Sequence, residues 1–265
     1  MRLMRPLLTA AVVAGLVVLP SAPALAQPPA NDDFDAAVAF TAVPFEATAD
    51  TTEATRAEDD PSCIGDDGNT VWYSVTLTET TEIAIDTFGS DYDTTLSAWT
   101  GERGSLELVA CNDDTDSLQS RIQFVAEAGV TYHLMVGSFP GAPGGNLVLT
   151  GQVLPPPMEL TITLAPTGSV TSDGAAVIGG TVSCSRPGAL DLVGTLSQRS
   201  GARVTVGSFR TSVDCTGSHD WQATVLGETG IYRRGPAAAV AVAQFDDPVR
   251  GEEVRVRAAG AVQLA

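Results

Sequence analysis

The residues of this chain best suited to chemistry are aspartates gathered in short knots: Asn31-Asp32-Asp33, Asp66-Asp67, Asp91-Tyr92-Asp93 and Asn112-Asp113-Asp114-Thr115-Asp116. Oxygen donors without nitrogen or sulfur suit a hard cation, and calcium is the one abundant outside cells. Crowded carboxylates repel unless a cation sits among them. Asn112, Asp114 and Asp116 copy the 1-3-5 spacing of an EF-hand loop, but Ser117 stands where that loop needs Gly and Gln123 where it needs Glu. The EF-hand is rejected. The strands leading from Leu96 and Leu106 are joined by a short turn and should pair antiparallel, which brings Asp93 beside the end of the second strand. Asp91, Asp93, Asn112 and Asp113, with Asp114 close by, are therefore the expected calcium ligands. The alternative is a solvated acidic rim that keeps the protein soluble.

Catalytic patterns are missing. Ser218-His219-Asp220 spells a triad in a row, yet neighbours on an extended chain point to opposite faces, so the run reads as a polar turn before Trp221. There is no GxSxG, no HExxH and no phosphate loop. A hydrolase working through two carboxylates stays an alternative on spacing alone, although a small sandwich offers little room for its cleft. Trp72 and Trp99 fall on the opposite parity to the main apolar residues of their strands. They form either a sugar-stacking platform, for a carbohydrate- or polymer-binding accessory protein, or the second face of a covered strand, which is the expectation here.

The elements that position these residues belong to a globular chain. Of 265 residues, 44% are hydrophobic and 17% charged, enough to bury a core. All 14 basic residues are Arg, against 32 acidic residues, for a net charge of -18. A nucleic-acid partner needs a basic stripe and is excluded, as is an anionic membrane surface. Residues 1–26 carry Arg2 and Arg5, an apolar run from Leu7 to Leu19 and the small-x-small site Ala24-Leu25-Ala26, the pattern of a cleaved signal peptide. The mature protein is expected to be secreted and extracellular, with no membrane insertion. Export favours disulfides. Cys63 and Cys111 precede the only proline run and Cys184 and Cys215 follow it, so the expected pairs are Cys63–Cys111 and Cys184–Cys215.

That run, Pro155-Pro156-Pro157, is a stiff spacer without ladder donors. The predicted organisation is a first domain over 27–153, a linker over 154–158 and a second domain over 159–265. From Gln27 to Pro157 there are 22 acidic residues and 3 Arg; from Met158 onward there are 10 and 9. Period-two runs fill both halves, with strands predicted around Val71–Leu77, Ile83–Ile85, Leu96–Ala98, Leu106–Leu108, Ile122–Ala126, Val130–Val136 and Leu147–Leu149 in the first. Only Asn31 to Phe40 reads as helix. In the second, seven or eight strands include Val204–Phe209 and Thr211–Cys215 as separate ones, the size of an immunoglobulin-like sandwich. The fold class is all-β, two antiparallel β-sandwich domains.

The motifs Asn31-Asp32-Asp33-Phe34, Thr70-Val71-Trp72-Tyr73, Gly89 to Leu96, Val109 to Asp114, Ser120-Arg121-Ile122 and Ala128 to Tyr132 occur in order across residues 31–151. Together they resemble the bacterial pre-peptidase C-terminal domain. That resemblance implies a non-catalytic jelly-roll-like sandwich appended to exported proteins, which in some collagenase relatives binds calcium and helps bind substrate. It also implies Asn31 and Asp32 as a second ligand pair. The second half resembles an uncharacterised secreted domain of high-GC bacteria and implies no function. The expected role is a secreted, non-catalytic binding or adhesion protein, calcium-stabilised, whose partner is an extracellular protein or a cell-wall polymer.

Overall fold

The computed structural model describes residues 27–115 and 117–265. The predicted signal peptide and Asp116 lie outside the described residues. The chain is all-β, built as two sandwiches in sequence, jelly-roll-like and then immunoglobulin-like.

The first sandwich holds nine strands: β1 (Val38–Phe40), β2 (Phe45–Asp50), β3 (Gly68–Thr76), β4 (Thr81–Asp86), β5 (Thr94–Thr100), β6 (Glu107–Asn112), β7 (Arg121–Ala126), β8 (Thr131–Ser138) and β9 (Asn146–Val153). One sheet has the order β1-β3-β8-β5-β6 and the other β2-β9-β4-β7. Alternation explains the layers. Val71, Tyr73 and Val75 from β3 and Leu134 and Val136 from β8 turn inward against Ile83, Ile85, Leu147 and Leu149 of the facing sheet. The opposite parity of β3, β5 and β8 makes a smaller cluster of Trp72, Trp99 and Met135, closed over by Phe34, Ala37 and Leu106.

The predicted helix over Asn31–Phe40 is corrected. Only Phe34–Ala36 turns, as a 3-10 helix capped by Asp33, and Val38–Phe40 becomes β1, parallel to β3. Ten residues barely sustain an isolated helix, whereas pairing with β3 gives this segment immediate ladder partners. The parallel pair needs a long crossover, which β2 and residues 51–67 supply.

The second sandwich contains β10 (Leu160–Ile162), β11 (Thr167–Val170), β12 (Ala176–Cys184), β13 (Gly188–Ser200), β14 (Arg203–Cys215), β15 (Ser218–Val225), β16 (Gly235–Asp247) and β17 (Glu252–Leu264). β12 pairs with β15 along one edge and with β10 and β11 along the other. β11 also pairs in parallel with β17, so it passes the ladder from one layer to the row β17-β16-β13-β14. The two strands expected at Val204–Phe209 and Thr211–Cys215 are one uninterrupted strand, since Arg210 stays in register with Val193 of β13. The expected polar turn at Ser218-His219-Asp220 is the first stretch of β15.

Both expected disulfides are present, Cys63–Cys111 and Cys184–Cys215, with Cα–Cα distances of 5.6 and 6.2 Å. The second ties the ends of β12 and β14, one from each layer, and Trp221 packs in the same core, stacked on Phe209. Two disulfides mark an oxidising, non-cytoplasmic compartment. No helix of the described residues is long and apolar enough to cross a membrane.

Among the described residues no ladder joins a strand before residue 154 to one after residue 159. Side chains join them instead. The turn between β16 and β17 reaches back to the first sandwich. There Arg250, 6% exposed, forks onto both oxygens of Glu82 at 2.8 and 2.9 Å, and donates to the Pro155 carbonyl at 2.8 Å. Gln123 donates to the Arg250 carbonyl and Arg121 to that of Val249. The prolines lack N–H groups but keep their carbonyls, and Pro156 also accepts from Arg186. Leu154 and Met158 are buried. The spacer is thus clasped rather than free.

Candidate functional site

Four loops meet at the end of the first sandwich farthest from the linker: residues 62–67 before β3, 87–93 before β5, 113–119 after β6, and 139–145 after β8. Strand order β3-β8-β5-β6 sets them side by side. The Cys63–Cys111 bridge ties the first loop to the end of β6, and the amide of Phe139 donates to the Asp93 carbonyl at 2.9 Å. Thr87, Thr94 and Ser120 form a buried hydroxyl knot beneath the loops, with Thr87 Oγ1 2.6 Å from Thr94 Oγ1. By sequence the four loops contain no basic residue.

Asp93 behaves as its position beside β6 predicts. One of its oxygens is buried without a hydrogen-bond partner. Burial, and then the charges of Asp114 and Asp113, push its carboxyl above the ordinary value. Asp93, Asp113 and Asp114 are thus brought together. In the loop ahead of β3, across β8 from β5, Asp67 is fully buried; one oxygen accepts from the Cys63 amide at 2.9 Å and the other has no partner. Burial raises its carboxyl as well. Asp67, directly ahead of Gly68 in β3, was visible in the sequence only as half of a knot.

The other expected ligands are placed differently. Asp91 is engaged away from Asp93 by Asn146, and Tyr92 between them is buried in the core, its hydroxyl pushed up to about 12 by burial. Asp91 instead accepts two bonds of 2.7 Å, from the backbone and side-chain amides of Asn146, and these hold its carboxyl below the usual range. A Cβ on Gly145 would strike this carboxylate, so Gly is required there. Asn112 is also corrected: its oxygen accepts from Thr115 and from the Arg121 amide, and its nitrogen donates to the Asp114 carbonyl. It shapes the loop and does not face Asp93. Among the described residues no three His, Cys, Asp or Glu stand arranged to hold a metal ion.

The second expected pair is a fastening. Asn31, buried, exchanges bonds of 3.0 and 2.8 Å with the Trp72 backbone, and Asp32 accepts from the Thr55 amide and hydroxyl, both at 2.7 Å. These bonds secure the N-terminal segment to β3 and the β2–β3 connection.

Trp72 and Trp99 form the covered second face that was expected, not the alternative sugar platform. Trp72 and Trp99 are 0% and 6% exposed, and their indole nitrogens donate to Asp60 at 3.2 Å and Ser97 at 2.7 Å. Phe34 covers them, in edge contact with Trp72. In β15 the side chain of Ser218 meets Ser183 while His219 meets Thr216, so the Ser-His-Asp run makes no relay.

Sequence reasoning overlooked one feature of the pole. The four loops each expose one large apolar side chain, Ile64, Phe88, Leu118 and Phe139. Isolated in turn-rich stretches, these have no periodicity to reveal them.

No protein-family model matches the chain, and no curated protein does. Solved structures overlap it loosely. A Parabacteroides merdae β-glucuronidase is 12% identical at a TM-score of 0.27, covering 73% of this chain and 27% of that one. A β-glucuronidase of Bifidobacterium dentium is 11% identical at 0.24, covering 73% and 39%. The chain spans well under half the length of these enzymes, and scores this low assign no activity.

Proposed function

We propose that this chain is a secreted, non-catalytic binding protein whose first sandwich is a pre-peptidase C-terminal-like module with a calcium-responsive loop pole. The observation that supports it is one carboxylate oxygen each on Asp67 and Asp93 that is buried without a hydrogen-bond partner, in loops that themselves carry no basic residue. Such oxygens fit a hard cation. Asp93, Asp113 and Asp114 would hold it, with the 113–119 loop drawn toward Asp93 to complete the shell, and Asp91 and Asn112 keeping the loops in place. The bound ion would neutralise repulsion and order the loops that meet an extracellular protein or cell-wall polymer. The disulfides and the sequence pattern of residues 1–26 support export.

Capture of partners from culture supernatant and cell-wall fractions tests this reading. Immobilised protein should retain a defined set in calcium and release it on chelation. The same set in both conditions, or none, counts against it.

A further inference from the structure

The charge asymmetry of the chain has a spatial counterpart. β9 runs from Asn146 at the acidic pole to Val153 at the linker, so the pole is the outer end of the first sandwich. In the second sandwich the β16–β17 turn lies against the first. β13 pairs with β16 from Asp191–Gln244 to Ser197–Ala238, which carries the β13–β14 turn to the opposite, outer end. That end exposes Arg199, Arg203, Arg233 and Arg234. Among the described residues none of the four is in an ion pair. Arg199 faces Val204 across the hairpin, and the Arg233 amide is bonded to Gln198 beside it. Exposed Val204, Leu226 and Ile231 lie among them, with Leu226 the most exposed large apolar side chain described at 67%. Two acids share this end, but Glu228 is held by Ser208 and Asp173 by Thr171.

The two outer ends therefore match in kind and oppose in sign. Each mixes exposed large apolar side chains with unpaired charge, acidic at one end and arginine at the other. Apolar patches rimmed by charge mark association surfaces, and complementary charge supplies rate and register. The unpartnered oxygen of half-buried Asp93 suits a cationic or hydrogen-bonding occupant at the acidic end. We propose that the chain associates head to tail with a second copy of itself, the acidic loop pole of one copy docking on the arginine end of the next. A contact between unlike surfaces does not close on itself in a pair, so it builds open chains or rings. This inference does not rest on the calcium reading; an ion bound at the pole would weaken the contact.

Sedimentation velocity on the chain from Gln27 onward, in chelator and low salt, tests it. The mean size should grow over about a hundredfold range of concentration and fall back as salt screens the charges. Asp66→Arg with Asp114→Arg, and separately Arg203→Asp with Arg234→Asp, change exposed side chains that make no hydrogen bonds. Each pair should weaken association by about tenfold or more. Mixing the two variants should restore it, since each then offers the other a complementary end. A protein that stays monomeric throughout, or one whose association ignores both charge reversals, overturns the proposal.

Discussion

The acidic pole and the clasp between the sandwiches use the same side chains to opposite ends. At the clasp the central charge has its partner: Arg250 is forked onto Glu82, touches Glu252 and the Pro155 carbonyl, and holds the Glu82 carboxyl below its usual value, while Arg121 nearby donates to the Val249 carbonyl and keeps a buried Nε without a partner. At the pole Asp67 and Asp93 each keep one buried oxygen without a hydrogen-bond partner, and both carboxyls are raised, Asp67 even with the Arg56 guanidinium bonded to its own carbonyl. The clasp answers its main charge with an acid of the same chain, whereas the pole gathers carboxylates that no ion pair among the described residues answers.

The largest effect expected comes from unbracing the pole. Cys63→Ala with Cys111→Ala opens a loop spanning 48 residues, and chain entropy puts the loss at about 4 kcal/mol. Denaturant unfolding should show it in the first sandwich, with the clasp intact. A loss below about 1 kcal/mol would mean that the pole is held by packing alone.

Breaking the clasp should cost less. Arg250→Ala removes a nearly buried guanidinium but leaves Glu82, 37% exposed, in contact with water, so we expect about 2–3 kcal/mol rather than the full cost of a buried pair. Calorimetry should also split one transition into two as the sandwiches uncouple. A single unshifted transition would show that the contact adds nothing.

The sign reverses at the pole. Asp93→Asn removes a carboxylate that burial and two neighbours oppose, so in chelator it should stabilise the protein slightly. A destabilised variant would place Asp93 with the structural carboxylates.

The smallest effect is the pH profile. Asp67 and Asp93 have folded-state values raised above the ordinary 3.8, so the folded state binds protons more readily than the unfolded state. Stability in chelator should rise as pH falls from neutral toward that range. Glu82 works the other way: its lowered value gives stability present above the ordinary 4.5 and lost as pH falls through the folded value beneath it. Melting curves across this window should turn over, and Arg250→Ala should lessen the acid-side loss, the remainder coming from Asp91 and the other carboxyls held low. A flat profile from neutral downward would contradict the raised carboxyls.

Much of this architecture was legible in the sequence because period two is a strong signal. Val71, Tyr73 and Val75 announced β3, and Leu134 and Val136 announced β8. Adjacency also worked once: pairing of the strands after Asp93 and before Asn112 is as expected, with Leu96 opposite Asn112. It failed one residue further out, because side-chain direction at a strand end depends on neighbours remote in sequence. Nothing near Asp91 says that Asn146 will claim both its oxygens. β1 and β11 were hidden for the same reason. Each is short; β1 exists only through a parallel partner farther along the chain, and β11 shares its few residues between β12, antiparallel, and the remote β17, parallel. The clasp could not be read at all, since Arg250 and Glu82 are 168 positions apart and sit in unremarkable surroundings.

The central claim is that the unsatisfied carboxylates of the pole await a cation. The most direct measurement is the melting temperature of the chain from Gln27 onward, titrated with calcium and compared with magnesium and chelator. We predict a rise in calcium at the roughly 10⁻⁴–10⁻³ M affinity of extracellular modules and a smaller rise in magnesium, which demands tighter octahedral geometry. The rise should vanish in Asp93→Ala with Asp113→Ala and persist in Asn31→Ala with Asp32→Ala, even though that pair lowers the starting value by loosening the N-terminal fastening. Identical melting in calcium and in chelator would contradict the account and leave the acidic knots as a solubility rim.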